Sequence, residues 1–201
     1  MLFDKEFEFE GKHATYCRAL KEEIGLFTTF REAYMISAIV GFLYGSKAIK
    51  DSIEKVQPAS ILPSELGEQR SNLQNIYRYI MLLEETPGFS IEDYKTRTFK
   101  DNSEDENPEK LKKNMEIFNS YVLGGIEILY DKFKDCGSKK DVVNSLNDFL
   151  EEFVSDNEIK VEWFIWQRKL IGIIPHVGEL KEKIDEKVMV RKQNLAVTLQ
   201  K

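Results

Sequence analysis

The chain has 201 residues and a mass of 23.5 kDa, and its 42% apolar content is enough to fill one large domain or a core with an appendage. Basic residues number 29 and acidic residues 35, so the net charge of -6 excludes wholesale coating of a polyanion and leaves only a local patch for any nucleic-acid contact. Two cysteines, Cys17 and Cys136, are too few for a disulfide scaffold or a four-thiolate zinc site; they sit in apolar stretches, and a reducing cytoplasm is the expected setting.

Phe3, Phe7 and Phe9 alternate with Asp4, Glu6, Glu8 and Glu10, the period of an extended strand with one buried and one wet face, and Gly11 ends it. This opening lacks the basic-then-apolar design of a secretion signal. Helical spacing follows from His13 to Ile24, with Tyr16, Leu20 and Ile24 on one face and Gly25 as the cap. Thr29 with Glu32 three positions on marks a capping box, and the helix it opens runs through Ala33, Ile36, Ile39, Val40 and Leu43 to Gly45. That helix is apolar nearly all round, which predicts the centre of the core or a subunit interface across residues 30–44, with Ile39 and Phe42 as candidate partner contacts. Its apolar run of about twelve residues falls short of the ~20 that cross a membrane.

Residues 56–67 carry Pro58, Pro63 and Gly67 and are expected to be a connector. A third helix carries Leu73, Ile76, Tyr77, Ile80, Met81 and Leu83 and stops before Pro87-Gly88; Ser90 with Asp93 caps a fourth that ends near Phe99. From Asp101 to Glu109 the acidic residues stand without a basic one, the pattern of an exposed, mobile loop. Pro108 then opens a long helix to about Lys134. Its Gly124-Gly125 pair predicts a point where another backbone crosses, because two mid-helix glycines are otherwise costly. Ser138 caps a sixth helix with Val142, Leu146, Phe149 and Phe153. Past Glu158 the pattern is less regular: strand and helix both remain open through Trp163 and Trp166, and a charged helix is expected from Glu179 to about Arg191.

Motifs for chemistry are sparse. The sequence contains no GxSxG elbow, phosphate-binding glycine loop, GxGxxG turn or HExxH helix, and His13 and His176 are its only histidines. Carboxylate pairs such as Glu84-Glu85 and Glu151-Glu152 point in different directions on a helix. The chain is therefore expected to be no enzyme, with no cofactor and no metal. A strand followed by two helices is the order of a ribbon-helix-helix unit, but a row of Asp4, Glu6, Glu8 and Glu10 repels a phosphate-lined groove. Contact with DNA would instead use Lys12, Arg18, Lys21 and Arg31, with His13 beside them. Residues 11–50 hold Lys12, Arg18, Lys21, Arg31, Lys47 and Lys50 against Glu22, Glu23 and Glu32, a modest surplus that equally suits a solvated helix face. Trp163 and Trp166, next to Arg168-Lys169, are candidate partner anchors, although large aromatics more often close a core.

The run from Ala19 to Tyr44, with a short helix ending at Gly25 and a more apolar helix after it, resembles the opening of the small E component of the bacterial DNA phosphorothioation (Dnd) system. Leu66 to Leu83, and Phe118 to Leu129 with its internal Gly-Ile, are similar in kind, so the likeness spans roughly residues 12–134. The resemblance implies a compact helical, oligomeric subunit associated with duplex DNA. The acidic loop and the residues after Cys136 depart from it.

The expected architecture is a mainly α helical bundle with an N-terminal strand, a core domain over residues 1–136 and a helical or mixed C-terminal extension over 137–201. The expected function is a non-catalytic, cytoplasmic accessory subunit of a bacterial DNA modification or anti-phage defence complex. It binds duplex DNA or larger protein subunits of the same system, as a homo- or hetero-oligomer and without a membrane. The alternative is a pure protein-interaction scaffold that touches no DNA.

Overall fold

The computed structural model describes residues 2–51, 53–101 and 107–152. It divides the chain into two units, Met1–Glu158 and Ile159–Lys201, and the second lies outside the described residues, as do Trp163 and Trp166.

Local signals set most of the helix ends. Thr29 stands in extended backbone, its hydroxyl accepts the Glu32 amide at 3.1 Å, and the Glu32 carboxylate returns to the amides of Thr28 and Thr29. The helix α2 (Phe30–Tyr44) starts there and ends on Gly45 in left-handed geometry. In chain order the elements are β1 (Phe7–Phe9), α1 (Gly11–Arg18) continuing into a π-helical turn (Ala19–Glu23), α2, β2 (Ala59–Ile61), α3 (Pro63–Glu68), α4 (Arg70–Leu83), α5 (Ile91–Phe99) and α6 (Pro108–Phe133). A further helix, α7, is described over 139–152. The fold is mainly α, with β1 and β2 as its small antiparallel sheet. None of the described helices is long and apolar enough to cross a membrane.

The centre is the crossing of α2 and α6. A methyl group on Gly41 would overlap the Tyr121 carbonyl, and one on Gly125 would overlap the Ser37 carbonyl and lie 2.9 Å from the Gly41 nitrogen. The two backbones touch here, as the Gly124-Gly125 pair predicts. Around the crossing Phe3, Phe9, Tyr34, Tyr77 and Phe118 pack as an aromatic cluster, with Phe3 at 5.6 Å and Tyr34 at 5.8 Å from the Phe118 ring.

The structure departs from the sequence reading in several places. The connector expected over 56–67 holds β2 and α3: Pro63 takes the first position of a helix, where a missing amide costs nothing. Ala59–Ile61 pairs with β1, Phe7 opposite Ile61 and Phe9 opposite Ala59, so β1 finds a partner inside its own chain. The strand is shorter than the alternation suggests because Phe3, at φ 60°, turns its ring into the core. The helix α2 does lie at the centre of the core through Ala33, Tyr34, Ala38 and Val40, with Ile36 43% exposed and Ile39 half-buried. Asp101, assigned to an exposed loop, is buried, and residues 102–106 of that loop lie outside the described residues. The helix α7, placed in the extension by the sequence, packs within the first unit, Phe149 against Phe133 at 5.9 Å.

Arg97 joins α5 to the end of α4. Its guanidinium donates to the Met81 carbonyl at 2.6 Å, the Glu84 carbonyl at 2.5 Å and the Thr86 hydroxyl at 2.7 Å, satisfying carbonyls that the helix end leaves open.

Gly125→Ala is expected to destabilise the chain by about 2–3 kcal/mol through overpacking. Gly67→Ala, whose added methyl meets only the Arg70 guanidinium at 3.7 Å, stays close to neutral, and urea denaturation of the two variants checks the difference.

Candidate interaction surface

Residues 46–51 and 53–58, between α2 and β2, have no regular secondary structure and are fixed to the body as a strap at successive points. Ser46 donates its amide to the Gly41 carbonyl at 2.8 Å and lies over Gly124, where any side chain would strike the Ser46 backbone. Ala48 donates to the Ser120 carbonyl at 2.9 Å, and Lys50 pairs with Glu10 at 2.6 Å. The Asp51 carboxylate accepts the amides of Lys12 and Ile53, both at 2.8 Å, and these bonds hold its pKa below the usual carboxylate value. Gly11, at φ 54°, leaves room for it; a side chain there would run into that carboxylate. At the far end the Pro58 carbonyl accepts Arg18 at 2.6 Å.

Between these anchors Ile49 and Ile53 stand 90% and 89% exposed, with Val56 also exposed. Single apolar side chains on a surface are ordinary. Two isoleucines in water on a segment tied down at this many points are a different matter, since an ordered strap has already lost the conformational freedom that docking otherwise costs.

The four cations assigned to DNA by the sequence are each engaged within the chain. Lys12 pairs with Glu127 at 2.9 Å, which raises its pKa, and Arg18 holds Pro58. Lys21 lies 4.5 Å over the Phe30 ring and 3.6 Å from Glu22, and Arg31 ties α2 to α3 through the Glu65 carbonyl and the Glu68 carboxylate. They fall into two pairs rather than one stripe: Lys12 and Arg18 hold the strap, and Lys21 and Arg31 flank the start of α2.

His13, grouped with them, is fully buried between α1 and α6 and cannot reach a phosphate. Its Nε2–H donates to Glu127 Oε1 at 2.8 Å, while Nδ1 has no partner. Burial holds the imidazole below the ordinary histidine pKa and outweighs the opposing pull of Glu127. Burial also pulls Glu127 upward, but the hydrogen bonds from Lys12 and His13 outweigh it and leave that carboxyl lowered.

Of the candidate partner contacts, Ile39 lies half-buried on the outer side of α2, and Phe42 packs edge-on against Tyr121 at 5.2 Å. Sequence reasoning missed the strap. The available signal was two isoleucines in a mostly polar, unpatterned stretch with Asp51 between them. Among the described residues no group of three or more His, Cys, Asp or Glu side chains is placed to hold a metal ion.

No family model matches this chain, and neither the curated proteins nor the solved structures contain a detectable relative.

Asp51→Ala removes the anchor to Lys12 together with the local turn to Ile53 and is expected to speed tryptic cleavage at Lys50 and Lys55 about tenfold, with little change in melting temperature. Mass spectrometry of the early fragments checks it. The buried imidazole sets a pH dependence of defined sign: below the ordinary histidine value of about 6.5 the unfolded chain takes up a proton that the folded chain refuses, so stability falls as pH drops through that value. Glu127 acts in a lower window, as pH falls through the carboxylate range. Replacing His13→Gln should therefore flatten the decline of the urea midpoint between pH 7 and pH 5.

Proposed function

We propose that this protein is a non-catalytic accessory subunit that holds a protein partner on the strap formed by residues 46–51 and 53–58. The observation that carries this reading is the display of Ile49 and Ile53 on a segment anchored by Ser46, Ala48, Lys50, Asp51 and Pro58. Apolar anchors on a pre-ordered surface are what a partner with a complementary apolar recess binds tightly. The resemblance of residues 12–134 to the Dnd E component supplies the setting, a bacterial DNA modification or defence assembly in the cytoplasm, and makes that partner a DNA-acting subunit. A scaffold outside DNA metabolism would use the same surface, and the identity of the partner separates the two.

Direct contact with DNA has less support. Phosphate would have to displace Glu127 from Lys12, Glu22 from Lys21 and Glu68 from Arg31, and such contacts weaken steeply as salt rises.

The test is co-expression of the full chain with the products of its neighbouring genes. The double variant Ile49→Asp, Ile53→Asp should keep the wild-type circular dichroism spectrum and lose partner affinity at least tenfold. An unchanged affinity refutes the strap as the docking surface. A labelled duplex decides the DNA arm: Lys12→Glu would set two carboxylates against each other at Glu127 and Arg18→Glu would release the strap at Pro58, so Lys21→Glu is the clean probe. A duplex shift at low salt that Lys21→Glu abolishes would overturn the protein-contact reading.

A further inference from the structure

A recess of about 510 Å³ lies beside the strap, between β1 and the middle of α6. Phe7, Ala48 and the core residue Leu123 line it with apolar surface. Ile49 lines it too, and at 90% exposed it belongs both to the recess and to the open face of the strap.

The charged groups of the lining are Glu6 and Glu8 at β1, Glu116 on α6 and Lys50 on the strap. Lys50 is already engaged, its ammonium pairing with Glu10 at 2.6 Å. Glu8 accepts the Ser60 hydroxyl at 3.0 Å, a neutral donor that leaves its charge in place. Glu6 and Glu116 are exposed and have no ion pair or hydrogen bond among the described residues. The adjoining recess toward the start of α6 adds Asp4, Lys5 and Lys112, so the negative excess belongs to the strap side.

That excess decides what can cover the strap. A partner that buries Ile49 also closes over the recess at whose edge Ile49 stands, and it draws Glu6, Glu8 and Glu116 out of water. Covering carboxylates without a counter-charge is strongly unfavourable, so the covering surface has to bring a cation. The apolar lining adds a second requirement, an apolar side chain beside that cation. A free small cation would satisfy the carboxylates and leave Ile49 in water, whereas a chain that crosses the rim covers both. From Glu116 to Leu123 the helix advances about 10 Å, the length of about three extended residues, so the entering segment is short.

Resting on the strap as the docking surface, we propose that the partner enters this recess with a short segment that sets a lysine or arginine next to an apolar side chain. The cation meets Glu6, Glu8 and Glu116, and the apolar side chain packs on Phe7, Leu123 and Ile49.

The experiment titrates the full chain with three capped peptides of equal length, Leu-Lys-Leu-Lys, Leu-Glu-Leu-Glu and Ser-Lys-Ser-Lys, and with n-butylammonium. The Ile49 and Leu123 methyls are followed by nuclear magnetic resonance. Leu-Lys-Leu-Lys should bind saturably at concentrations on the order of 10 mM or below and move both methyls together. The other three should bind at least about fivefold more weakly, and Glu6→Gln with Glu116→Gln should weaken Leu-Lys-Leu-Lys by about the same factor. Glu23→Gln, exposed and outside the lining, removes the same kind of charge and should leave that binding unchanged. The proposal is overturned if Leu-Glu-Leu-Glu binds as well, if n-butylammonium does, or if Glu23→Gln weakens binding as much as the recess variants. Movement of Ile49 without Leu123 overturns the recess and leaves the strap standing. Movement of Leu123 without Ile49 refutes the strap, and with it the crossing of the rim. Self-association of the free chain that the two recess substitutions abolish would make the occupant a second copy and also overturn the proposal. Should the double variant fail to fold, the comparison of the peptides on the wild-type chain decides.

Discussion

The contact between the backbones of α2 and α6 governs this fold. Helices normally meet through side chains at 8–10 Å between axes. Here Gly41 and Gly125 remove the side chains at the crossing, and the carbonyls of Tyr121 and Ser37 occupy the space a methyl would fill. Close approach brings many atoms into dispersion contact at once, which offsets the cost of placing glycine inside helices. The aromatic cluster of Phe3, Phe9, Tyr34, Tyr77 and Phe118 then closes over the crossing, and the remaining elements pack around that pair.

The same helix α6 sets the surface. Gly124, one residue before the crossing, gives Ser46 its seat, and Ser120, one turn earlier, accepts the Ala48 amide. Lys12 and Arg18 act on the strap from α1, one through its backbone amide and one through its guanidinium. The Lys12 ammonium is directed at the Glu127 carboxylate and the Arg18 guanidinium at the Pro58 carbonyl.

Much of the helical architecture was legible in the residues. The capping box at Thr29 and Glu32, the left-handed Gly45, the stop before Pro87 and the Gly124-Gly125 crossing all rest on local backbone chemistry that neighbouring residues state outright. The features that stayed hidden depend on partners far along the chain. Ala59–Ile61 has no alternation long enough to announce a strand until β1 lies beside it. Pro63 suits a break as well as a helix start, and the packing of Leu66 into the core decides for the helix. Asp101 sits in an acidic run, and nothing local says that the end of α5 draws it inside. The strap has no period at all, because its order comes from bonds to α1 and α6 rather than from its own sequence.

Phe3 carries a consequence of a different kind. It is the described non-glycine residue at positive φ, and its ring is buried against Tyr77 and Phe118. A left-handed phenylalanine is an unfavourable conformer on its own, so that backbone turn persists only while the ring is gripped. Phe3 is thereby a plug whose seating reports on the cluster beneath it. Loosening Phe118 or Tyr77 would remove the grip that holds Phe3 in this conformer and with it the turn from Leu2 to Asp4.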